Sequence, residues 1–94
     1  MRRPNVIFRM HAVQRMFQRR ISEEVVLGLL DSGETIEVYS GDTPYPSRLI
    51  LGWDGRRAIH LVIADNVEKN ETIVITVYEP EPDQWEDGFR RRKQ

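Results

Sequence analysis

The dipeptide Asp54-Gly55 sets a firm limit on the fold, because it lies between two mostly apolar runs of strand length. These runs are residues 47–53 and residues 57–64. An Asp-Gly pair favours a two-residue turn in which both positions take positive φ, and such a turn joins antiparallel strands. The sequence therefore predicts a β-hairpin across residues 47–64. The second run is nearly all apolar, which is typical of a central strand.

Two helices are predicted before this hairpin. Residues 10–20 place most of their apolar side chains on one helical stripe. Ser22 then stands where a side-chain oxygen can cap free backbone N–H groups at the start of a second helix. Gly33 is predicted to end that helix in the left-handed conformation.

Two further strands complete the predicted sheet. Residues 34–39 alternate apolar and polar side chains, and residues 71–78 are rich in β-branched side chains. Residues 5–9 fit either a short strand or an extended lead-in. We therefore predict a single α+β domain over residues 1–94, in which two N-terminal helices pack on a four-stranded antiparallel meander.

The chain after the last strand is predicted to form an arm with a short helical turn. Pro80 and Pro82 end the strand, because proline cannot donate to a sheet ladder. Trp85 and Phe89 stand four residues apart, at the spacing of two neighbours on a helix. We expect them to pin one final C-terminal helical turn and so to fix the position of the arginines at 90–92.

Composition limits the classes of function that remain. The 94 residues include no cysteine, which excludes disulfides, thiolate metal sites and cysteine nucleophiles. No apolar run approaches membrane-spanning length and no secretion signal is recognised, so we expect a cytoplasmic protein without membrane contact. A core this small leaves room for a homodimer or a bound partner to add stability.

Charge is distributed unevenly although the formal net charge is only −1. All 15 acidic residues lie within residues 23–87, whereas ten of the 14 basic residues lie outside that stretch. Arg2 and Arg3 are among those at the front. If the two ends of the chain meet, they form one basic surface on an acidic body, which is the type of surface that binds phosphates.

Five residues form the candidate site that the sequence itself indicates. His11, Arg15 and Arg19 recur every four residues and share one helical face. His60 lies on the central strand among small neighbours, and Tyr78 lies at the end of the last strand. A histidine that moves a proton, an arginine that stabilises a phosphorane and a tyrosine that donates a hydrogen bond suffice for metal-free RNA cleavage through the 2′-hydroxyl. No metal or other cofactor is predicted, because two histidines without a metal-binding spacing organise no ligand set.

A structural interpretation stands beside each of these assignments. His11 could cap the first helix, and His60 could be a hydrogen-bonded core histidine. Arg15 and Arg19 could form a solvated face paired with nearby glutamates. Tyr78 could belong to the core with its hydroxyl at the sheet edge.

Five segments resemble a small bacterial family, the domain of unknown function 4258 family. They are residues 11–22, 44–47, 55–60, 76–80 and 85–93, and together they extend over nearly the whole chain. The pattern His-Ala-x-x-Arg-Met near the N-terminus and the segment Thr-Val-Tyr-Glu-Pro are the most distinctive. Arg20 departs from the family pattern, in which a glycine is expected at this position.

The resemblance implies a toxin of a toxin–antitoxin pair with a compact RelE-like or barnase-like ribonuclease fold. It also implies RNA and a small antitoxin protein as partners. The functional residues carried over by position are His11, Arg15, Arg19, His60, Tyr78, Arg90, Arg91 and Arg92.

These observations lead to one principal hypothesis and two alternatives. The first is a metal-independent endoribonuclease toxin acting on mRNA, with His60, His11 and Tyr78 as catalytic residues and the arginines holding the substrate. The second is a non-catalytic RNA-binding or ribosome-associated module that uses the same basic surface. The third is a protein-interaction subunit that pairs with an antitoxin-like partner.

Overall fold

The structure is a computed structural model that describes residues 4–94. Its elements are, in chain order, β1 Asn5–Phe8, α1 Met10–Arg19, α2 Glu23–Ser32, β2 Glu34–Tyr39, β3 Ser47–Asp54, β4 Arg57–Asn66 and β5 Glu71–Tyr78. The predicted α+β class and the two helices are confirmed. No helix among the described residues is long and apolar enough to cross a membrane.

The sheet has five strands, so the prediction of a four-stranded antiparallel meander is wrong. The spatial order is β1-β5-β4-β3-β2, and the four strands β2 to β5 pair antiparallel with their neighbours in sequence. β1 adds a fifth strand at the edge, parallel to β5, with Asn5 opposite Glu71 and Phe8 opposite Val74. A strand of four residues carries too little pattern to reveal its pairing, which depends on a partner strand far away in the sequence.

Both helices cover one face of this sheet. α1 lies against β5 and α2 against β3. The core beneath them is made of fully buried side chains from the helices and the three central strands, among them Ala12, Val26, Ile59, Leu61 and Val77. Because successive side chains of a strand point to opposite faces, His60 lies on the face that the helices leave uncovered.

The start of α2 agrees with the prediction from the sequence, whereas its end at Gly33 does not. Ser22 Oγ accepts a hydrogen bond from the Val25 backbone N–H at 3.1 Å, as the capping pattern predicts. Gly33, however, has φ −72° and ψ 164°, so it is extended and not left-handed. A Cβ at this position would overlap the Ile50 side chain and the Leu29 carbonyl oxygen, so close packing against β3 requires the glycine.

Arg20 ends α1 in the left-handed conformation. Its φ of 54° and ψ of 48° are angles that glycine adopts at no steric cost. Its backbone N–H bonds back to the carbonyls of Met16 and Phe17. The position where a glycine was expected therefore has the backbone conformation of a glycine, although an arginine occupies it.

Residues 79–94 form a C-terminal arm across the open face of the sheet, and the predicted helical turn is not present in it. Gly88 and Phe89 both have positive φ, 86° and 60°, which is incompatible with a right-handed helix. The arm instead folds back on itself through a bridge between Trp85 and Arg92. Trp85 is the anchor that the sequence predicts, since only 3% of it is exposed.

Candidate functional site

His60 and Tyr78 occupy facing positions on β4 and β5 and are hydrogen-bonded to each other. The sheet register pairs the two residues directly. His60 Nδ1 lies 3.2 Å from the Tyr78 hydroxyl oxygen, and His60 Nε2 lies 3.0 Å from the carbonyl oxygen of Phe89 in the arm. Since a carbonyl can only accept, Nε2 carries the proton and Nδ1 accepts from the tyrosine hydroxyl.

The arm encloses the His60 ring completely. The Trp85 ring meets it edge to face at 4.5 Å between centroids, and Tyr78 meets it at 5.2 Å. No part of His60 is exposed to solvent. The space that the small neighbours of His60 leave beside the ring is therefore filled by aromatic side chains and is closed to a substrate while the arm is in place.

The surroundings of His60 keep it neutral. Burial lowers the pKa of His60 below its ordinary value, the hydrogen bond to Phe89 opposes this effect, and the charge of Arg92 adds to the lowering. Burial also raises the pKa of Tyr78, so its hydroxyl stays protonated as a donor. The pair is a satisfied buried contact in which both ring nitrogens of the histidine are occupied.

A second cluster lies where the arm meets β2, and its carboxylate was missed by the sequence reasoning. The Glu37 carboxylate accepts from the Tyr39 hydroxyl and lies 3.3 Å from Arg92 Nε. The Arg92 guanidinium also lies 4.6 Å above the centre of the Trp85 ring. The hydrogen bond from Tyr39, together with Arg92, holds the pKa of Glu37 below its ordinary value although burial opposes this. The signal available in the sequence was only the complementary charge of an acidic strand and a basic tail.

The tail arginines predicted to bind substrate are divided by this arrangement. Arg90 Nε lies 2.9 Å from Glu34 Oε1, so Arg90 and Arg92 both pair with acids of β2. Arg91 is exposed and forms no ion pair with any other described residue. Two of the three tail arginines thus fasten the arm, and one is open to solvent.

The His11, Arg15 and Arg19 side chains form a row along α1, as their spacing predicts. All three are exposed, and within residues 4–94 none of them forms an ion pair. The alternative pairing of Arg15 and Arg19 with the glutamates of α2 is therefore not seen. We call these three residues the basic row.

The basic row ends at a surface groove of about 320 Å³. Its lining includes Arg19, Arg56 and Arg57, together with Pro80, Pro82 and Phe89 of the arm. Glu79 and Glu81 also lie in the groove. Arg56 is exposed, whereas Arg57 is held by Asp54 and Glu79 at 3.0 and 3.3 Å.

The structure thus separates the predicted site residues into two groups. The basic row lies on the helical layer, whereas His60 and Tyr78 lie on the opposite face of the sheet beneath the arm. Arg90 and Arg92 join the second group, at the β2 edge. Arg2 and Arg3 lie outside the described residues. Within residues 4–94, Arg90 and Arg92 are thus paired with acids of β2 and do not join the basic row.

Groups that could hold a metal ion were sought among the described residues. No cluster of three or more His, Cys, Asp or Glu side chains within residues 4–94 is arranged for this purpose. A cavity of about 350 Å³ between β1 and α2 contains none of the predicted site residues.

Comparison with known families gives one match. The family described as Domain of unknown function (DUF4258) matches residues 8–79, which include both helices, β2 to β5 and every predicted site residue outside the arm. The chain belongs to the DUF4258 family. No curated protein and no solved structure matches it. The match begins at the last residue of β1 and stops at the first residue of the arm, so the DUF4258 region contains His60 and Tyr78 but not the Trp85 and Phe89 that cover them.

Proposed function

We propose that this protein is an endoribonuclease toxin that cleaves mRNA through the RNA's own 2′-hydroxyl, and that the basic row is its site. The observation that carries the proposal is the exposure of His11, Arg15 and Arg19 on one helical face without an ion-pair partner among the described residues. Three basic side chains on one helical face, with no carboxylate paired to them, form a strip of uncompensated positive charge. A row left open in this way suits a polyanion.

The basic row offers the groups that this cleavage needs. His11 can take the proton of the 2′-hydroxyl, whose oxygen then attacks the phosphorus. Arg15, one helical turn away, can stabilise the negative charge that builds on the phosphorane. The bond from phosphorus to the 5′-oxygen breaks, and that oxygen takes a proton from water. The products are a 2′,3′-cyclic phosphate and a 5′-hydroxyl.

The groove beyond Arg19 extends the same surface. Arg19 and Arg56 line it with exposed guanidinium groups that can grip the phosphates flanking the scissile one. Glu79 and Glu81 repel phosphate within the groove, so we place the RNA backbone against Arg19 and Arg56.

His60 and Tyr78 have a structural role in this proposal, because His60 holds the arm through Phe89 and Tyr78 binds His60. With both of its ring nitrogens occupied and no part of it exposed, His60 does not reach a substrate while the arm is in place. Their assignment as catalytic residues stays a prediction that requires the arm to open. The two assignments are separable, because they lie on different faces of the sheet.

The test is growth of a bacterial host after controlled induction, followed by mapping of mRNA ends. The wild type should arrest growth and leave new 5′-hydroxyl ends. His11→Ala and Arg15→Ala should relieve the arrest while the purified variants keep the thermal stability of the wild type. Gln14→Ala is the matched control, because Gln14 is an exposed polar residue of α1 that lies outside the basic row.

Two results would count against the proposal. If growth arrests without new mRNA ends, and salt-sensitive RNA binding is lost in Arg15→Ala, the row binds RNA without cleaving it. If His11→Ala and Arg15→Ala arrest growth as fully as the wild type, the basic row is not the site.

A further inference from the structure

Three large apolar side chains stand exposed on α1, on the flank away from the basic row. Met10, Val13 and Phe17 are 75%, 47% and 88% exposed. Their positions at i, i+3 and i+7 fall within an arc of about 60° around the helix axis. Apolar residues with this spacing ordinarily face a core, and here they face solvent. We call the three residues the α1 stripe.

A shallow depression adjoins the C-terminal end of the α1 stripe. It has a volume of about 440 Å³ and lies at the joint between α1 and α2. Its lining combines Phe17 with the buried side chains of Met16 and Ile21. An apolar side chain of a partner could enter it and contact both the exposed and the buried apolar groups. The α1 stripe therefore continues into a depression that could accommodate one apolar side chain of a partner.

The charged side chains of α1 and of its two caps are all positive, and the nearest acidic residues in sequence are Glu23 and Glu24 at the start of α2. Arg9 stands at the N-cap of α1 and Arg20 at its C-cap, where Arg20 also lines the depression. The helix itself contains Arg15 and Arg19 and no acidic residue. None of these four arginine side chains forms an ion pair with another described residue.

We propose that the α1 stripe is a docking surface for an acidic amphipathic helix of a partner protein. Apolar anchors of such a helix, spaced one turn apart, would pack on Phe17, Val13 and Met10, and its Asp and Glu residues would meet Arg9 and Arg20. The charge pattern selects this occupant over a second copy of the chain. Two α1 stripes packed together would bring four arginines, Arg9 and Arg20 of each copy, and no acidic residue of α1 into one interface.

This surface is separate from the proposed RNA site. Gln14 and Gln18 lie between the α1 stripe and the basic row on the exposed side of the helix. The partner helix and the RNA would therefore contact different residues of α1. The docking proposal does not depend on the result of the RNA cleavage test, because that test varies His11 and Arg15 whereas the docking test varies Phe17.

The experiment is a selection from a displayed library of twenty-residue helices. The library keeps apolar residues at i, i+3 and i+7 and varies the remaining positions among Glu, Gln and Lys. The full chain is the bait. Enriched peptides should be rich in Glu, and their affinity for the Phe17→Ser variant should fall about tenfold or more. Val67→Ser is the matched control bait, because Val67 is 86% exposed but lies between β4 and β5.

Four outcomes would overturn the proposal. They are no enrichment over empty beads, enrichment of Lys-rich or neutral helices, equal affinity for the wild type and Phe17→Ser, and self-association of the chain that Phe17→Ser abolishes. Binding of the wild type to phosphatidylglycerol vesicles, lost in Phe17→Ser, in the absence of peptide enrichment would assign the stripe to a membrane surface instead. Phe17 is nearly fully exposed, so its loss should leave the fold intact, and an unchanged thermal transition checks this.

Discussion

The Nε2 atom of His60 donates a hydrogen bond of 3.0 Å to the carbonyl oxygen of Phe89 and so ties the centre of the sheet to the last turn of the chain. In the sequence, His60 precedes Pro80 and Pro82 of the arm, and Phe89 follows them. The hydrogen bond satisfies the Nε2–H group of a fully buried imidazole, which would be left without a partner if the arm moved away.

The first prediction concerns the pH dependence of stability. Burial lowers the pKa of folded His60 below the value of about 6.5 expected in the unfolded chain. Below that pH the unfolded state binds a proton that the folded state does not, so the free energy of unfolding should fall as the pH is lowered from about 7 to about 5. Above about 6.5 the contribution should be fully present. Urea unfolding at several pH values measures this.

The control for the pH prediction is His60→Gln, whose amide can replace the two hydrogen bonds without titrating. Its unfolding free energy should vary less over the same range. Glu37 does not interfere, because its pKa is lowered from 4.5 and it acts only in more acidic solution. An acid sensitivity equal to that of the wild type would show that His60 is not responsible.

The second prediction concerns how the arm is fastened. Arg92→Ala removes the ion pair with Glu37 and the cation held over Trp85. The loss of global stability should be less than about 1 kcal/mol, because Arg92 is more than half exposed. Amide exchange in residues 85–92 should nevertheless accelerate, since local opening of the arm becomes easier. Arg91→Ala is the matched control and should leave these exchange rates unchanged.

The third prediction concerns Arg57 as a connector. Its guanidinium donates to the backbone carbonyls of Arg19 and Arg20 at 2.7 and 3.1 Å and also pairs with Asp54 and Glu79. Arg57→Ala should destabilise the protein by about 1–3 kcal/mol, because it leaves several acceptors unpaired at once. Arg57→Lys should restore little, since an ammonium cannot span the same fork. Arg56→Ala, next in sequence and exposed, should change the unfolding free energy by less than about 0.5 kcal/mol.

The fourth prediction compares Gly33, at the C-terminal end of α2, with Gly28, inside the same helix. Gly33→Ala should destabilise the protein by about 1–3 kcal/mol, because the new methyl group overlaps Ile50 and a backbone carbonyl. Gly28→Ala should stabilise it by about 0.5–1 kcal/mol, because Gly28 lies within α2 with nothing within 4 Å of the added Cβ. Thermal unfolding of the two variants should show opposite shifts, and shifts of one sign would contradict the packing described here.

The fifth prediction concerns the left-handed backbone of Arg20. Arg20→Gly should raise the free energy of unfolding by about 0.5–1 kcal/mol, because glycine adopts this φ without steric cost. The carbonyl that Arg57 binds is kept in this variant. Gln18→Gly, placed inside α1, should instead cost about 1 kcal/mol. A destabilised Arg20→Gly protein would show that the Arg20 side chain contributes more than its backbone costs.

The sequence correctly predicted the placement of residues related by a local period, whereas their role as a site stays a prediction. His11, Arg15 and Arg19 fall on one exposed face because four-residue spacing on a helix is geometry alone. Glu37 could not be found in this way. Its role depends on the arm crossing to β2, and nothing within either segment encodes that meeting except opposite charge.

In the sheet too, the local period predicts some features, whereas others depend on contacts between distant segments. Strict alternation along β5 would place Val74 on the same face as Thr76 and Tyr78, yet Val74 belongs with Val77 to the core beneath the helices. The register between β4 and β5 shifts between Val62 and Ile63, which changes the alternation. Such a bulge is set by packing on both faces and leaves no mark in the hydrophobic pattern.

The sequence by itself determined the local elements of this protein: the hairpin between β3 and β4, the Ser22 cap, the helical stripes and the strands after them. These depend on turn chemistry and on periods of a few residues. The hairpin turn itself differs from the prediction, because Asp54 pairs with Arg57 and the turn residues are Gly55 and Arg56, of which only Gly55 has positive φ. The tertiary structure alone decided that β1 pairs parallel with β5, that the arm encloses His60, and that Arg90 and Arg92 pair with acids of β2. Those contacts join segments far apart in the chain, and they form only when burial of the whole core offsets the loss of conformational entropy.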